Sequence, residues 1–260
     1  VPGQSYYHVL LGQVLLKGPD GYSQGIAEFE EANRLSPDKS YFAYRLGNAY
    51  ARWGRWREAA PLLRRASDTW PTDRWNAYHH AILSAYVGDM ESYRLACRRL
   101  LDADKPDGAD LGPYNAAIAC LLAPDGIGQS DRIRELAIEE QAERLNDRRK
   151  ANARALAQLR AGQWRSAIDE LGTVPTEPNG ARNHLTSLAI LAMAQQGSGD
   201  LPAAKQSLAT AKSLRAATWP YPEQGRPFGE FWQNWLLAEI LLREAEGLIA
   251  PPAQAQQAPP

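Results

Sequence analysis

His79 and His80, adjacent in "AYHHAIL", are the side chains best suited by type to hold a metal ion, and Glu139 and Glu140 are the pair best suited to acid–base work. Neither pair completes a site. Neighbouring histidines on a helix point in different directions, and no carboxylate stands at a spacing that would add a third ligand. The simplest reading is one packed and one solvated imidazole. Glu139 and Glu140 fall in an arginine-rich stretch and read as a solvated face with pairs one helical turn apart. Cys97 and Cys120 lie in apolar stretches without a CxxC partner, which points to ordinary core thiols. The chain has no GxxxxGK[ST], no GxGxxG after a strand, no HExxH, no GxSxG and no HRD or DFG. No catalytic activity and no cofactor or metal are expected.

A second constellation suits binding. Tyr41, Tyr44, Asn48 and Arg52 recur every three or four residues, opposite Leu46 and Tyr50, so they form one stripe on a helix. Trp75, Tyr78 and His79 occupy the corresponding face about one repeat later. Aromatic side chains and arginine dominate binding hot spots, so these seven residues are the candidate partner-binding set. An equally simple reading has Trp75 and Tyr78 packing between neighbouring helices.

The elements that must position this set are periodic. Phe29, Ala32 and Pro37 recur as Leu63, Ala66 and Pro71, all three at one and the same interval. Upstream, "YRLGNAYARWGRWREAA" holds Leu46, Gly47, Tyr50, Gly54, Trp56 and Ala59, and Leu11, Gly12 and Gly25 precede the first set. Apolar residues at i and i+4, then at i, i+4 and i+7, define two amphipathic helices joined by a short turn. The stretch "GRWREAAPLLRRA", which starts at Gly54, returns more loosely as "GQWRSAIDELG", which starts at Gly162. That offset is three repeats with a few insertions, so Trp56 and Trp164 should mark junctions between helix pairs.

This pattern resembles the tetratricopeptide repeat, a helix–turn–helix unit of about 34 residues. The resemblance implies an all-α, right-handed α-solenoid of about six helix pairs, with units near 5–39, 40–73, 74–107, 109–146, 147–178 and 181–216. A C-terminal capping helix over 227–249 should follow, with Phe228, Trp232, Trp235, Leu236 and Ile240 inward, and the "PPAQAQQAPP" end reads as a disordered Pro/Gln/Ala tail over 250–260. Gly25 stands where the family prefers alanine and Tyr93 stands at the same small position of the third unit, so packing should differ there. The stretches "AYHHAILSAYVGDMESYRLACRRLLD", "AIACLLAPDG" and "FWQNWLLAEILLREAEGLI" are similar to the carboxyl-terminal repeat regions of large planctomycete-type bacterial serine/threonine kinases or WD40-repeat proteins.

In such a solenoid the first helices line a concave groove, which is where the aromatic–arginine set would lie. The resemblance therefore implies a non-catalytic interaction scaffold that takes a protein or peptide segment in that groove, as a regulatory region of a larger signalling protein. The alternatives are a structural or oligomerisation module, self-associating through the last helix, or the C-terminal part of a kinase whose catalytic domain lies outside the chain. The family's clamp for chaperone tails is absent, because its positions hold Val9, Gln13, Arg45, Trp75 and His79. Balanced charge, 29 basic against 30 acidic residues, offers no field for nucleic acid, and no apolar run would insert in a membrane. No segment fixes a compartment, and the lack of a visible signal peptide favours the cytoplasm.

Overall fold

Small residues set how the helix pairs pack. In the computed structural model, which describes residues 2–16, 21–102, 111–124, 131–138, 148–172 and 180–250, the described residues form thirteen α-helices and one short 3-10 turn. They fall into two compact units: residues 1–111 with 220–233, and residues 112–219 with 234–260. The 251–260 tail, Glu139 and Glu140 lie outside the described residues.

The first unit holds three antiparallel helix pairs: α1 (Pro2–Leu15) with α2 (Tyr22–Leu35), α3 (Ser40–Arg52) with α4 (Trp56–Thr69), and α5 (Arg74–Val87) with α6 (Met90–Asp102). A Cβ on Gly47 of α3 would stand 2.9 Å from the Leu63 side chain of α4, and a Cβ on Gly12 of α1 would meet Phe29 of α2 at 3.1 Å. Each glycine thus provides the hollow that receives the large residue of its partner helix. Gly25 also touches the α1 backbone, since a Cβ there would lie 3.1 Å from Gly12 O, so this first crossing is closer than alanine would allow. At the third pair the equivalent position is Tyr93, which is fully buried. The turns are built by Gly54 (φ +72°) and Gly88 (φ +83°), left-handed conformations that suit glycine. Asp73 and Asp89 accept hydrogen bonds from the backbone N–H of Asn76 and Ser92, both at 3.0 Å, and so cap α5 and α6.

The second unit holds α7 (Pro113–Cys120), α8 (Asp131–Ile138), α9 (Arg148–Arg160), α10 (Trp164–Gly172), α11 (Ala181–Gly197), α12 (Leu201–Thr218) and nearly all of α13 (Trp232–Ile249). Here the echo of the first unit becomes physical. Gly162 has the same φ of +72° as Gly54, and Trp164 lies against α11 of the next pair, where a Cβ on Gly197 would meet its ring at 2.6 Å. Trp56 likewise reaches Tyr86 of the next pair, with ring centroids 5.5 Å apart. Cys97 and Cys120 are buried.

The last helix differs from the sequence reading in two ways. It starts at Trp232 rather than 227, because Gly229 adopts φ +72° and interrupts any helix there. It also does more than cover an end. Leu236, Leu237, Ala238, Glu239, Leu241, Leu242 and Ala245 are all buried, whereas Ile240, expected inward, is only half-buried. Leu237 lies with Ile118 of α7, Asn152 of α9 and Thr186 of α11 around a small cavity, so α13 touches the first helices of the second unit's helix pairs. Arg160 of α9 grips Glu244, and Arg215 of α12 pairs with Glu239 at 2.6 Å. Among the described residues no helix is long and apolar enough to cross a membrane.

Candidate functional site

The stripe on α3 and the start of α5 meet at one cavity of about 610 Å³ in the first unit. Spacing by four places Tyr44, Asn48 and Arg52 on successive turns of α3, and all three line the cavity together with Trp75 and His79 of α5. Tyr44 Oη and His79 Nδ1 share a hydrogen bond at 3.2 Å. Burial lowers the His79 pKa to about 3, so the imidazole is neutral at physiological pH. Burial, helped by the nearby Asp73 carboxylate, raises Tyr44 to about 12, so the phenol also stays neutral.

Two members of the predicted set lie elsewhere. Tyr78 is only 2% exposed and packs edge-on against Trp75, so its bulk belongs to the core between helices. Tyr41 is exposed but lies outside the cavity, where it stacks on Tyr6 at 5.6 Å and lies under the Arg45 guanidinium. The expectation of one solvated histidine is also corrected. His80 is buried with both ring nitrogens unpartnered among the described residues, and burial lowers its pKa to about 4. A neutral imidazole can be buried in this way where an imidazolium could not.

The cavity is shared with a stretch of the chain's own sequence. An isolated bridge between Tyr221 and Arg226 closes a tight turn, and the chain from Phe228 to Gln233 then runs along α3. Phe228 N donates to Arg52 O at 2.8 Å, using a carbonyl at the end of α3 that has no intrahelical donor. Trp232, with no exposed surface, donates from Nε1 to Asn48 Oδ1 at 2.9 Å. Because Asn48 Nδ2 donates to Tyr44 O at 3.2 Å, both ends of that amide are used and its orientation is fixed. The Trp232 ring lies 5.1 Å from His79 and 6.0 Å from Trp56, and Phe228 meets Trp56 edge-on at 4.9 Å. Trp56 is therefore more than a junction residue. It also forms part of the seat for this segment.

Glu230 and Phe231 complete the lining. Glu230 pairs with Arg52 at 3.0 Å while remaining 73% exposed, and Phe231 is 52% exposed. Gln13 of α1, Leu16 just after it, Phe29 of α2, Arg45 of α3 and Gln233 also line the cavity. The Gln13 amide, oriented so that its oxygen faces the guanidinium, accepts from Arg45 Nε at 3.2 Å. Sequence reasoning missed Glu230, Phe231 and Gln233 as cavity wall. The available signal was "FGEFW", where a glycine between aromatic residues breaks the helical pattern.

The helix pairs are those of a helical repeat, and structural comparison agrees on the fold. A tetratricopeptide repeat protein from Parabacteroides merdae superposes with a TM-score of 0.54 at 12% identity, covering 92% of this chain and 84% of its own. The chain therefore has the all-α fold of the tetratricopeptide repeat. The structure of MamA aligns over 83% of this chain and 94% of its own, at 12% identity and a TM-score of 0.43. The tetratricopeptide domain of P58(IPK) aligns over 83% and 61%, at 15% identity and a TM-score of 0.38. No protein-family profile and no curated protein sequence matches the chain.

Proposed function

We propose that the chain is a non-catalytic interaction scaffold that takes a peptide or protein segment in the groove of its first unit, contacted by Tyr44, Asn48, Arg52, Trp75 and His79. The observation that carries this reading is the seating of residues 228–232. A backbone N–H reaches the end of α3, an indole N–H reaches Asn48, and aromatic rings pack on His79 and Trp56. These are the interactions by which a groove holds an extended peptide, and a cavity of ligand size remains beside them. Peptides selected from a random dodecapeptide display library on the immobilised chain should bind at micromolar concentration. Replacing Tyr44, Arg52 and Trp75 with alanine should abolish that binding at unchanged helical content. Equal binding by the triple variant refutes the assignment of this groove.

A second reading, self-association, is favoured by one observation. Tyr7, Leu10 and Val14 form an exposed stripe on α1, at 63%, 62% and 65% exposure. The equivalent residues of α3, one repeat on, include the buried Phe42 and Ala49. In that reading α1 rather than α13 carries the contact, because the apolar side chains of α13 are mostly buried within the chain. Light scattering on the chain and on Leu10→Lys distinguishes the readings, since a monomer in both cases removes self-association.

A further inference from the structure

Resting on the groove reading above, we infer that the occupant is an extended peptide with a carboxylate side chain next to an aromatic one, and that Glu230 and Phe231 hold its place within the chain. The charges lining the cavity are Arg45, Arg52 and Glu230, two guanidiniums against one carboxylate, since His79 is neutral. The arginines lie two turns apart along one face of α3, and the partner of Arg45 is the uncharged Gln13 amide. Asp73 is a further carboxylate near Tyr44, and Arg45 and Arg52 are the charged groups of α3 that an anionic ligand would meet.

The segment over 228–232 divides into fixed and exchangeable parts. Phe228 and Trp232 are almost completely buried and anchor the segment to α3. Glu230 meets Arg52 through one oxygen from an exposed position, a pairing worth less than about a fivefold advantage. The planar guanidinium can donate two parallel hydrogen bonds to a carboxylate, so an incoming acid exchanges with Glu230 at little cost. Trp75, Tyr44 and Phe231 supply the aromatic lining for the neighbouring side chain.

The second unit provides an internal control. Arg160 is the counterpart of Arg52 three repeats on, at the same place before the Gly-x-Trp turn. It donates to Leu121 O and Leu122 O at 3.0 and 3.1 Å and holds both oxygens of Glu244, and the pair is largely buried. Of the two equivalent arginines, Arg160 is locked in a buried pair, whereas Arg52 has an exposed partner and lines the cavity of about 610 Å³.

The test uses the tetrapeptide acetyl-Gly-Glu-Phe-Gly-amide, which carries only the exchangeable Glu-Phe pair of the segment, and its copy with glutamine for glutamate. Calorimetry is run on the full chain and on Glu230→Ala and Arg52→Gln, both at solvent-accessible positions whose helical content is checked by circular dichroism. Glu230→Ala should bind the glutamate peptide about fivefold tighter than the unaltered chain. It should prefer that peptide over the glutamine copy by about tenfold or more. Arg52→Gln should show no preference. Equal binding of the two peptides by Glu230→Ala overturns carboxylate recognition while leaving the groove reading intact. No binding of either peptide by any variant overturns the inference, and it extends to the groove reading if library peptides also fail to bind.

Discussion

The hydrogen bond from Trp232 Nε1 to Asn48 Oδ1 joins residues 184 positions apart in sequence and is the sharpest test of how residues 228–233 are seated. Trp232→Phe keeps most of the buried ring area but leaves Asn48 Oδ1 without its donor, which should cost about 1.5–2 kcal/mol. Asn48→Ala removes that acceptor and the donor to Tyr44 O, and should cost about 1–2 kcal/mol. In the double variant no unpaired partner remains, so the total should stay near about 2–2.5 kcal/mol. The resulting coupling is about 1 kcal/mol. Equilibrium urea unfolding, followed by circular dichroism and by tryptophan fluorescence, measures all four corners of the cycle. Costs that add to within about 0.3 kcal/mol would refute the contact and, with it, the placement of the segment in the groove.

Three further outcomes follow from the packing and charges. His79 and His80 have folded pKa values of about 3 and about 4, below the 6.5 of an unfolded histidine. Between those limits the unfolded chain binds protons that the folded chain refuses, so stability is lost as pH falls below about 6.5. Each histidine should contribute a loss of about 2 kcal/mol between pH 7 and pH 5, measured by urea titration at each pH, and His79→Gln should remove about half of the combined effect. Gly197→Ala should destabilise the chain by about 2 kcal/mol, because its Cβ would stand 2.6 Å from the Trp164 ring, and Trp164→Leu should recover part of that loss in thermal unfolding. Arg160→Gln should cost about 3–5 kcal/mol by stranding Glu244 in a largely buried site, whereas Arg52→Gln should cost less than about 1 kcal/mol, both read by urea unfolding.

The helix pairs were legible because each depends on local signals: apolar spacing, glycine turns and aspartate caps all lie within one repeat. The α3 stripe was legible for the same reason, since Tyr44, Asn48 and Arg52 follow the helical period and reach one cavity. Residue type left Tyr78 open between groove and core, and it misled at His80. Both carry polar atoms, yet both are buried, and nothing local distinguishes a core imidazole from a solvated one. The seat of Phe228 and Trp232 was not legible at all. Their partners, Arg52, Trp56, Asn48 and His79, lie several repeats away in sequence, and apolar periodicity assigned both aromatics to the inner face of a capping helix. Gly229 was the local clue, because its positive φ ends the helix before Phe228 can join it. The echoed tryptophans proved informative in a different sense. Their repeat identifies Arg52 and Arg160 as equivalent, and the differing burial of those two arginines separates an exchangeable ion pair from a locked one.

The most direct test of the central claim is the amide hydrogen-exchange footprint of a bound peptide. With a display-selected peptide at saturation, protection should appear in α3 from Tyr44 to Arg52, at the start of α5 around Trp75 to His79, and around Glu230, with α9 and α11 unchanged. Protection confined to α1, or to the second unit, would contradict the assignment of the first-unit groove as the binding site.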